Sequence, residues 1–521
     1  MGDTRARALP APPPVGPRPR RTPRVAVVGG GIAGLAAACC LAERAVDVVL
    51  LERERGLGGR LRGWETTLAD GSVVTMSRGF HAFFRQYYNL RGLLRRGDPG
   101  LSALVPLADY PLVHRDGYAD RFSGLPATPP WNALALAAVS PSFPVRELAG
   151  VNVPAALQLL DVDAPGVYER LDHRSARELL EVTRFPGSAR HLAFEVFSRS
   201  FFAAPERLSA AEMALMFHTY FLGSSEGLRF DVPRSPFPQA LWTPLAGYLE
   251  GIGAVLRTGT SVRAVEPDRT RGYAVSWERD DGTSGGEGFD GVVLATDPAS
   301  LPGLVARSPG LGDARWRAEV AALRPAPPFL VSRYWLDRPV REHRQGFLGT
   351  GGYPTLDNIS VLDRYEDESA RWAARTGGSV IELHAYALPE GCDRAAERAS
   401  LWRQATSVYP ELGAARVVDA RHEWRADCPL FPPGSHGSRC RVRTPDPRVV
   451  VAGDHLRVDL PVALMERAAT SGIMAANALL SRWGRHGHTV RSVPLRGRHA
   501  PLRYLARRAR QPLRPQVERN R

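Results

Sequence analysis

The chain contains no lysine, because all 68 of its basic residues are arginine. This absence excludes chemistry that depends on a lysine side chain, such as Schiff-base catalysis and the phosphate-binding lysine of a P-loop. Long apolar runs are also missing, and no stretch reaches the roughly 18 consecutive apolar residues of a membrane-spanning helix. The longest apolar segments, such as 131–139, are shorter and are bounded by prolines.

Cysteine is scarce, and its five copies form no Cys-x-x-Cys pair. An odd, scattered set is typical of a reducing compartment rather than of a disulfide framework. Cys428, His436 and Cys440 match no standard zinc spacing, so we predict no metal site. The N-terminus lacks the apolar segment of a secretory signal peptide. The sequence therefore predicts a cytoplasmic protein.

The positive charge is concentrated at the two ends of the chain. Of the net charge of +14, residues 1–24 carry +5 and residues 482–521 carry +11, which leaves −2 for the body between them. This asymmetry favours a polyanionic partner, either anionic lipid or nucleic acid, and solubilising ends are the other interpretation. The proline- and arginine-rich composition of residues 1–23 predicts disorder.

A dinucleotide-binding pattern opens the body of the chain. A buried strand from Arg24 runs into Gly29-x-Gly31-x-x-Gly34, and an alanine-rich helix and a second buried strand follow. In this pattern the first glycine makes a tight turn, the second admits a pyrophosphate to the helix N-terminus, and the third allows close helix–strand contact. Glu52 ends the second strand, 18 residues after Gly34, where it can accept hydrogen bonds from an adenosine ribose.

Two further elements indicate FAD rather than NAD. Gly58-Gly59-Arg60 can wrap a second glycine turn and a guanidinium around the pyrophosphate. Near the C-terminus, Gly453-Asp454 follows a buried strand and precedes a helix, so the acid can accept from ribityl hydroxyls, and a plain helix cap is the alternative. Three matched elements spread over the whole chain favour a long, extended cofactor.

The predicted fold class is α/β, with a Rossmann-type FAD-binding domain assembled from discontinuous segments and a mixed α+β substrate domain. Buried strands lie at both ends of the chain and mixed segments lie between them. Ser209 and Glu212 predict a capping box ahead of an apolar helix. The predicted parts are basic tails at 1–23 and 483–521, FAD-binding segments at 24–110, 241–300 and 441–482, and substrate-domain segments at 111–240 and 301–440.

These motifs resemble the FAD-dependent amine oxidase and phytoene desaturase superfamily over residues 24–481. The segment 76–90, MSRGFHAFFRQYYNL, is similar to a stretch of the plant-type carotene desaturases. The segment 453–468, GDHLRVDLPVALMERA, narrows the resemblance to the branch that converts the β-rings of β-carotene to aromatic φ-rings. The resemblance implies noncovalent FAD, a lipid-soluble carotenoid substrate and peripheral association with the inner face of a membrane through basic tails and apolar patches.

The resemblance also implies roles for individual residues. His81 is the candidate catalytic residue, with a structural histidine as the alternative, and four aromatic residues are candidates for the substrate site, with plain core packing as the alternative: Phe83, Phe84, Tyr87 and Phe217. The expected cofactor residues are Gly29, Gly31, Ala33, Gly34, Glu52, Arg53, Gly58, Gly59, Arg60, Gly79, Val262, Gly453, Asp454, Pro461 and Met465.

The expected reaction is desaturation of each β-ring with an intramolecular 1,2-methyl shift, with a quinone or oxygen as terminal electron acceptor. Amine oxidation is disfavoured because relatives with that activity commonly hold water at the flavin with a lysine, and this chain has no lysine. Covalent flavin is disfavoured because the last cysteine, Cys440, precedes Gly453. The alternatives are another polyene desaturase or isomerase, acting on an acyclic carotene or a squalene-derived lipid, and a flavin-binding scaffold with nucleic-acid-binding tails. We expect no nucleic-acid partner.

Overall fold

The computed structural model describes residues 3–107, 109–190 and 201–509. Its centre is a five-stranded parallel sheet, here called the central sheet, built from segments far apart in the chain. The strand order is Val255–Arg257, Asp47–Leu51, Arg24–Val28, Gly291–Leu294 and Val449–Val451. A parallel sheet covered on both faces needs strands that are apolar along their length, and these β-branched runs supply them.

The first helix, Ile32–Ala42, follows the first strand directly and is buried along its whole length. Its alanine-rich sequence allows this burial, because small side chains let the helix approach the sheet and the C-terminal core helix, Leu464–Arg482, closely. At Gly34 the approach is closest, since an added methyl group would lie 1.9 Å from the carbonyl oxygen of Gly29. The role expected for the third glycine is therefore met by geometry.

A second, mostly antiparallel sheet, here called the outer sheet, lies across a cavity from the central sheet. Its strand order is Val417–Arg425, Phe329–Leu336, Ser379–Ala385, Asn358–Val361, Phe347–Gly351, Leu112–His114 and Ala119–Asp120. One smaller sheet comprises the strands Thr260–Asp268, Gly272–Arg279 and Ser284–Phe289. Another comprises the strands Phe83–Phe84, Phe230–Pro233 and Leu104–Pro106. A hairpin pairs Gly63–Thr67 with Val73–Ser77.

Among the described residues, helices cover the two sheets and predominate in the ranges 131–190 and 201–251. The remaining α-helices are Tyr88–Leu94, Trp131–Val139, Val145–Leu148, Val153–Gln158, Gly166–Leu171, Ala176–Thr183, Gly187–Arg190, Ala210–Phe217, Thr243–Gly251, Leu301–Ala306, Ala314–Ala321, Asp367–Thr376, Arg394–Val408 and Ala500–Arg508. Within the described ranges, none of the helices combines the length and the apolar character needed to cross a bilayer.

Residues 1–23, for which the composition predicts disorder, include a strand that pairs with the other basic end of the chain. The strand Arg7–Leu9 pairs antiparallel with Val490–Ser492, so the ends of the chain hold each other. Asp3 is buried and accepts hydrogen bonds from both terminal nitrogens of Arg498, at 2.7 and 3.0 Å. Backbone pairing and a buried carboxylate supply partners that composition cannot reveal. Residues 1–2 and 510–521 lie outside the described residues.

Candidate active site

A cavity of about 510 Å³ lies between the carboxyl edge of the central sheet and the outer sheet. At one end the glycine turn after the first strand opens into it, and at the other end it is walled by aromatic side chains. Ligands of open parallel sheets bind at this edge, beyond the carboxyl ends of the strands. Of the predicted catalytic, cofactor and substrate residues, fifteen line this cavity: Gly29, Gly31, Ala33, Glu52, Arg53, Gly58, Gly59, Arg60, His81, Phe84, Tyr87, Val262, Gly453, Asp454 and Met465.

The N-terminus of the first helix faces the cavity through an open cradle. A methyl group added at Gly31 would meet only the Cα of Gly59, at 3.7 Å, so the space in front of this turn is free of protein atoms. Glu52 lies beside the turn and accepts hydrogen bonds from the backbone N–H groups of Gly30 and Glu54, at 2.5 and 2.8 Å. Burial raises the pKa of Glu52 above its usual value. An open helix N-terminus beside an acid fits the pyrophosphate and ribose of a dinucleotide.

The second glycine turn meets the first turn across the cavity mouth. Gly58 is in the left-handed region with φ of +105°, and its N–H donates to the carbonyl of Gly30 at 2.8 Å. Arg60 forms an ion pair with Asp454 at 2.5 Å, so residues separated by nearly four hundred positions meet at the cavity wall. The sequence predicts separate ligand partners for these two side chains, whereas the structure shows them as partners of each other.

The C-terminal core helix, which follows Gly453-Asp454 as predicted, begins at Leu464. Leu464 has φ of +51°, an uncommon conformation for a residue with a side chain, and it lines the cavity together with Met465. Pro461 lies in a bend three residues before the helix and does not line the cavity. The helix N-terminus is therefore directed at the cavity, where its dipole favours negative charge.

His81 lies on the cavity wall and is held by the backbone. Its Nδ1 lies 2.9 Å from the carbonyl oxygen of Gly79, so this nitrogen carries the hydrogen. Desolvation lowers the pKa of His81 to about 4, so its ring is neutral near pH 7. Gly79 itself lies behind the cavity wall, with φ of +96°, and a methyl group there would lie 2.5 Å from the His384 ring. The catalytic role of His81 stays a prediction.

The aromatic candidates divide between the cavity and the core. Phe84 and Tyr87 line the cavity, as expected, whereas Phe83 and Phe217 do not. Phe83 and Phe84 are successive residues of one strand, so their side chains point to opposite faces and Phe83 is fully buried in the core. Phe217 lies at the end of its helix and stacks on Phe221, with ring centroids 5.7 Å apart.

A polar cluster on the outer sheet was not recognised from the sequence. Glu382, His384 and Tyr386 lie on one side of the strand Ser379–Ala385 and its continuation, and His384 and Tyr386 line the cavity. Arg333, on the neighbouring strand, donates twice to Glu382, at 2.9 and 3.0 Å. The available signal was the spacing of two between polar residues in an otherwise apolar strand, since such residues share one face.

Together these residues fit a flavin dinucleotide. The cradle in front of Gly31 has room for a pyrophosphate, Glu52 lies beside it, and the N-terminus of the Leu464–Arg482 helix reaches the same cavity, where its dipole would favour an anionic flavin ring. Aromatic side chains also line this cavity.

A protein-family model described as "Flavin containing amine oxidoreductase" matches residues 32–480. A carotenoid phi-ring synthase of Streptomyces griseus is 60% identical over 504 residues, covering 97% of this chain and 96% of that protein. A carotenoid phi-ring synthase of Chlorobaculum tepidum is 27% identical over 606 residues, covering 91% of each chain.

Among solved structures, cyclohexylamine oxidase from Brevibacterium oxydans superposes with a TM-score of 0.62 at 16% identity, covering 88% of this chain and 99% of that chain. A likeness at this identity establishes the fold, which confirms the predicted α/β class. The chain therefore belongs to the flavin containing amine oxidoreductase family, and within it to the branch that holds the carotenoid phi-ring synthases.

Proposed function

We propose that this protein is an FAD-dependent oxidoreductase that converts the β-rings of β-carotene to aromatic φ-rings, giving isorenieratene. One observation carries the proposal: a dinucleotide cradle opens into an aromatic chamber in a chain 60% identical to a carotenoid phi-ring synthase. Bound FAD supplies the two-electron oxidation that each desaturation needs. The chain's own residues bind the two molecules, orient them and exclude water.

The FAD would be held without a covalent bond. We assign the pyrophosphate to the turn at Gly31 and to Arg60, whose guanidinium is placed beside the second glycine turn. Asp454 holds Arg60 at 2.5 Å and keeps it oriented toward the cavity. The only cysteine among the cavity-lining residues, Cys428, is buried, and burial raises the pKa of its thiol, which disfavours the thiolate needed for attachment.

The aromatic chamber suits a hydrocarbon. Phe80 stacks on Phe347 with ring centroids 4.3 Å apart, and Tyr110 stacks on Phe122 at 5.1 Å. The hydroxyl of Tyr110 donates to the carbonyl of Leu228, so the ring presents its apolar surface. A β-ring has no polar group to recognise, and shape and aromatic contact are therefore the means of orienting it.

The proposed chemistry removes two hydride–proton pairs from each ring and moves one methyl group between neighbouring ring carbons. Loss of hydride leaves a cation spread over the polyene. The methyl group then shifts from the geminal carbon to its neighbour, and loss of a proton restores the double bond. The methyl group never leaves the ring, so no external donor is required. A quinone or oxygen serves as the terminal electron acceptor.

We also propose contact with the membrane that dissolves the substrate. Six exposed apolar side chains, here called the apolar face, lie on three adjoining helices: Trp131, Leu134, Val139, Val153, Tyr504 and Leu505. His499, which precedes the last helix, donates from Nε2 to the carbonyl of Pro129 at 2.7 Å, and this helix packs on the helix Val153–Gln158. Arg508 lies over the ring of Tyr504, so basic charge borders the face. Apolar side chains bordered by arginine suit an anionic lipid surface.

The product tests the proposed function. Purified protein loaded with FAD is incubated with β-carotene in liposomes and a quinone, and the pigments are analysed by mass and NMR. We expect a species converted at one end to appear first and then decline as both rings become trimethylphenyl. A product that gains the mass of a methyl group, or one that keeps its geminal dimethyl carbon, would contradict the proposal.

A further inference from the structure

Three polar side chains of the outer sheet form a hydrogen-bonded chain that ends at the cavity. The hydroxyl of Tyr386 lies 2.6 Å from Nδ1 of His384, and Nε2 of His384 lies 2.8 Å from Oε1 of Glu382. His384 and Glu382 are buried, whereas Tyr386 is partly exposed to the cavity. The order along this chain is therefore cavity, phenol, imidazole, carboxylate.

The protonation state of Glu382 fixes the direction of these hydrogen bonds. Although burial acts in the opposite sense, Arg333 and His384 together lower the pKa of Glu382 to about 2, so it is ionised and can only accept. The backbone N–H of Phe80 lies 3.4 Å from Nε2 of His384 but donates to Oε1 of Glu382 at 2.8 Å. Nε2 therefore carries the histidine hydrogen toward the carboxylate, and Nδ1 accepts from the Tyr386 hydroxyl. The amide of Asn358 donates to the same hydroxyl at 3.2 Å, which helps to hold it in place.

The three side chains are arranged like the serine, histidine and carboxylate of a catalytic triad, with a phenol in the place of the serine. A phenol whose hydrogen is directed at an imidazole can accept a proton on its oxygen while it releases its own. The imidazolium formed in this way is stabilised by the ionised Glu382, and Arg333 keeps that carboxylate oriented through its two hydrogen bonds.

His81, the other histidine on the cavity wall, is a poorer proton acceptor. Its Nδ1 is used by the Gly79 carbonyl, and no carboxylate contacts its ring among the described residues. Desolvation lowers the pKa of His81 to about 4, so the protonated form of this ring is unfavourable at neutral pH. Of the two histidines, only His384 has a carboxylate within hydrogen-bond distance among the described residues, Glu382 at 2.8 Å.

We propose that Tyr386, His384 and Glu382 form a relay that takes the proton released when the β-ring becomes aromatic, an inference that rests on the proposed function. In this step the C–H bond of the ring carbon that received the methyl group breaks, and its electron pair becomes the new ring double bond. The Tyr386 oxygen gains that proton and passes its own to Nδ1 of His384. Positive charge thus moves from the substrate cation to the imidazolium, and no electrons are gained or lost.

Tyr386 is the catalytic residue of this relay, since it lines the cavity and would contact the substrate there, and Glu382 is a positioning residue. A Tyr386→Phe variant keeps the ring that packs edge-on against Phe202 at 4.9 Å and removes only the hydroxyl. We expect unchanged flavin content and KM, and a fall in kcat of about 10²–10⁴, the usual contribution of a positioned acid or base. With β-carotene deuterated at the carbon that loses the proton, the isotope effect should exceed that of wild type, because proton loss becomes rate-limiting.

A matched control is Tyr334→Phe, which makes the same change at a buried tyrosine of the outer sheet that packs on Trp402 away from the cavity. We expect this variant to behave as wild type. If Tyr386→Phe forms the φ-ring product at the wild-type rate, or if both variants lose the same activity, the relay is wrong. If wild-type protein itself forms no φ-ring product, the proposed function is wrong instead.

A second measurement needs no turnover. In flavin-loaded protein labelled with 15N-histidine, the His384→Gln variant identifies the His384 resonances among those of the 13 histidines. We expect the ring to carry its hydrogen on Nε2, and an Nδ1 resonance that shifts in Tyr386→Phe but not in Tyr334→Phe. A ring protonated at Nδ1 would donate to the phenol rather than accept from it, and this result would overturn the relay.

Discussion

At the scale of single residues, Gly31 and Gly34 of the dinucleotide motif differ in the space that surrounds them. A methyl group at Gly31 meets nothing closer than 3.7 Å, whereas one at Gly34 lies 1.9 Å from the Gly29 carbonyl oxygen. Gly31 is thus open toward the cavity and Gly34 is closed by the protein itself. Substitutions at the two positions should therefore separate cofactor binding from folding.

We expect Gly31→Ala to fold with a Tm close to that of wild type and to purify with little flavin, because its methyl group occupies the approach of the pyrophosphate. The measurement is the ratio of flavin to protein absorbance, followed by acid precipitation. Wild type should release FAD, identified by mass, into the supernatant. Colour that stays in the wild-type pellet would contradict noncovalent binding.

Gly34→Ala is the comparison, and we expect it to be unstable or insoluble whether or not flavin is supplied. A backbone contact of this kind cannot relax as the end of a flexible side chain can. If Gly34→Ala were stable and only depleted in flavin, or if Gly31→Ala unfolded, this division of roles would be incorrect.

Single residues of the site could be predicted where the pattern is local. The glycine turn and Glu52 lie within one strand–helix–strand unit, and all of their features are encoded within 24 residues. The partner of Arg60 could not be predicted, because Asp454 reaches it only through the completed central sheet. The prediction that both Phe83 and Phe84 contact the substrate overlooked the alternation of side chains along a strand, because two adjacent residues of one strand cannot both face the cavity.

At the scale of elements, the helix Ala210–Phe217 shows how tertiary contacts replace a local motif. Ser209 caps the helix by accepting from the N–H of Ala211 at 3.2 Å, but Glu212 does not complete the predicted capping box. Instead, Glu212 is buried and accepts hydrogen bonds from Arg439 and from Arg467, the latter at 2.7 Å. Two buried guanidiniums outweigh one backbone N–H as partners for a carboxylate.

We expect Glu212→Gln to destabilise the protein by about 3–5 kcal/mol, since it leaves two buried arginines without a counter-charge. The pKa of Glu212 is lowered to about 2, chiefly because the two arginines outweigh its burial. Its contribution to stability is therefore complete above the ordinary value of 4.5 and is lost as the pH falls toward 2.

Urea unfolding of wild type and Glu212→Gln at a series of pH values measures this contribution. The difference in free energy of unfolding between the two proteins should be constant from pH 7 to pH 5 and shrink below it. A difference that is small at pH 7, or that grows as the pH falls, would mean that the arginines do not depend on this carboxylate.

The elements of the fold follow from the sequence more closely than their contacts do. The predicted strand and helix at the start of the body correspond to Arg24–Val28 and Ile32–Ala42, because buried runs of β-branched residues and of alanine are unambiguous. The strand Ser379–Ala385 was not singled out, since polar residues in a mixed segment acquire meaning only when the outer sheet brings two of them, His384 and the following Tyr386, to the cavity.

At the scale of the whole molecule, the charge at the ends is partly neutralised by the fold. Arg496 pairs with Asp163, Arg507 with Asp161, and Arg498 with Asp3. These arginines have protein partners, so a net charge counted from the sequence overstates what the ends offer to a lipid surface. We therefore expect the apolar face to contribute a substantial part of the proposed membrane affinity.

Two substitutions on the apolar face test that contribution. Trp131 and Leu134 are 62% and 56% exposed, so Trp131→Gln and Leu134→Gln should cost little stability. Each removes an apolar side chain that would enter the lipid interface, where full burial is worth about 1.5–3 kcal/mol. We expect each to weaken binding to liposomes of mixed anionic and neutral lipid by about tenfold, which corresponds to about 1.4 kcal/mol.

Val73→Gln is the control, because Val73 is equally exposed, at 63%, but lies on the hairpin Gly63–Thr67 with Val73–Ser77, away from the three helices of the apolar face. It should bind liposomes as wild type does. High salt should weaken wild type and the two face variants by the same factor, since salt screens the arginines and leaves apolar insertion unchanged. If the face variants bound as tightly as the control, or if salt alone abolished binding of wild type, attraction of the arginines would account for membrane contact and the apolar face would have no part in it.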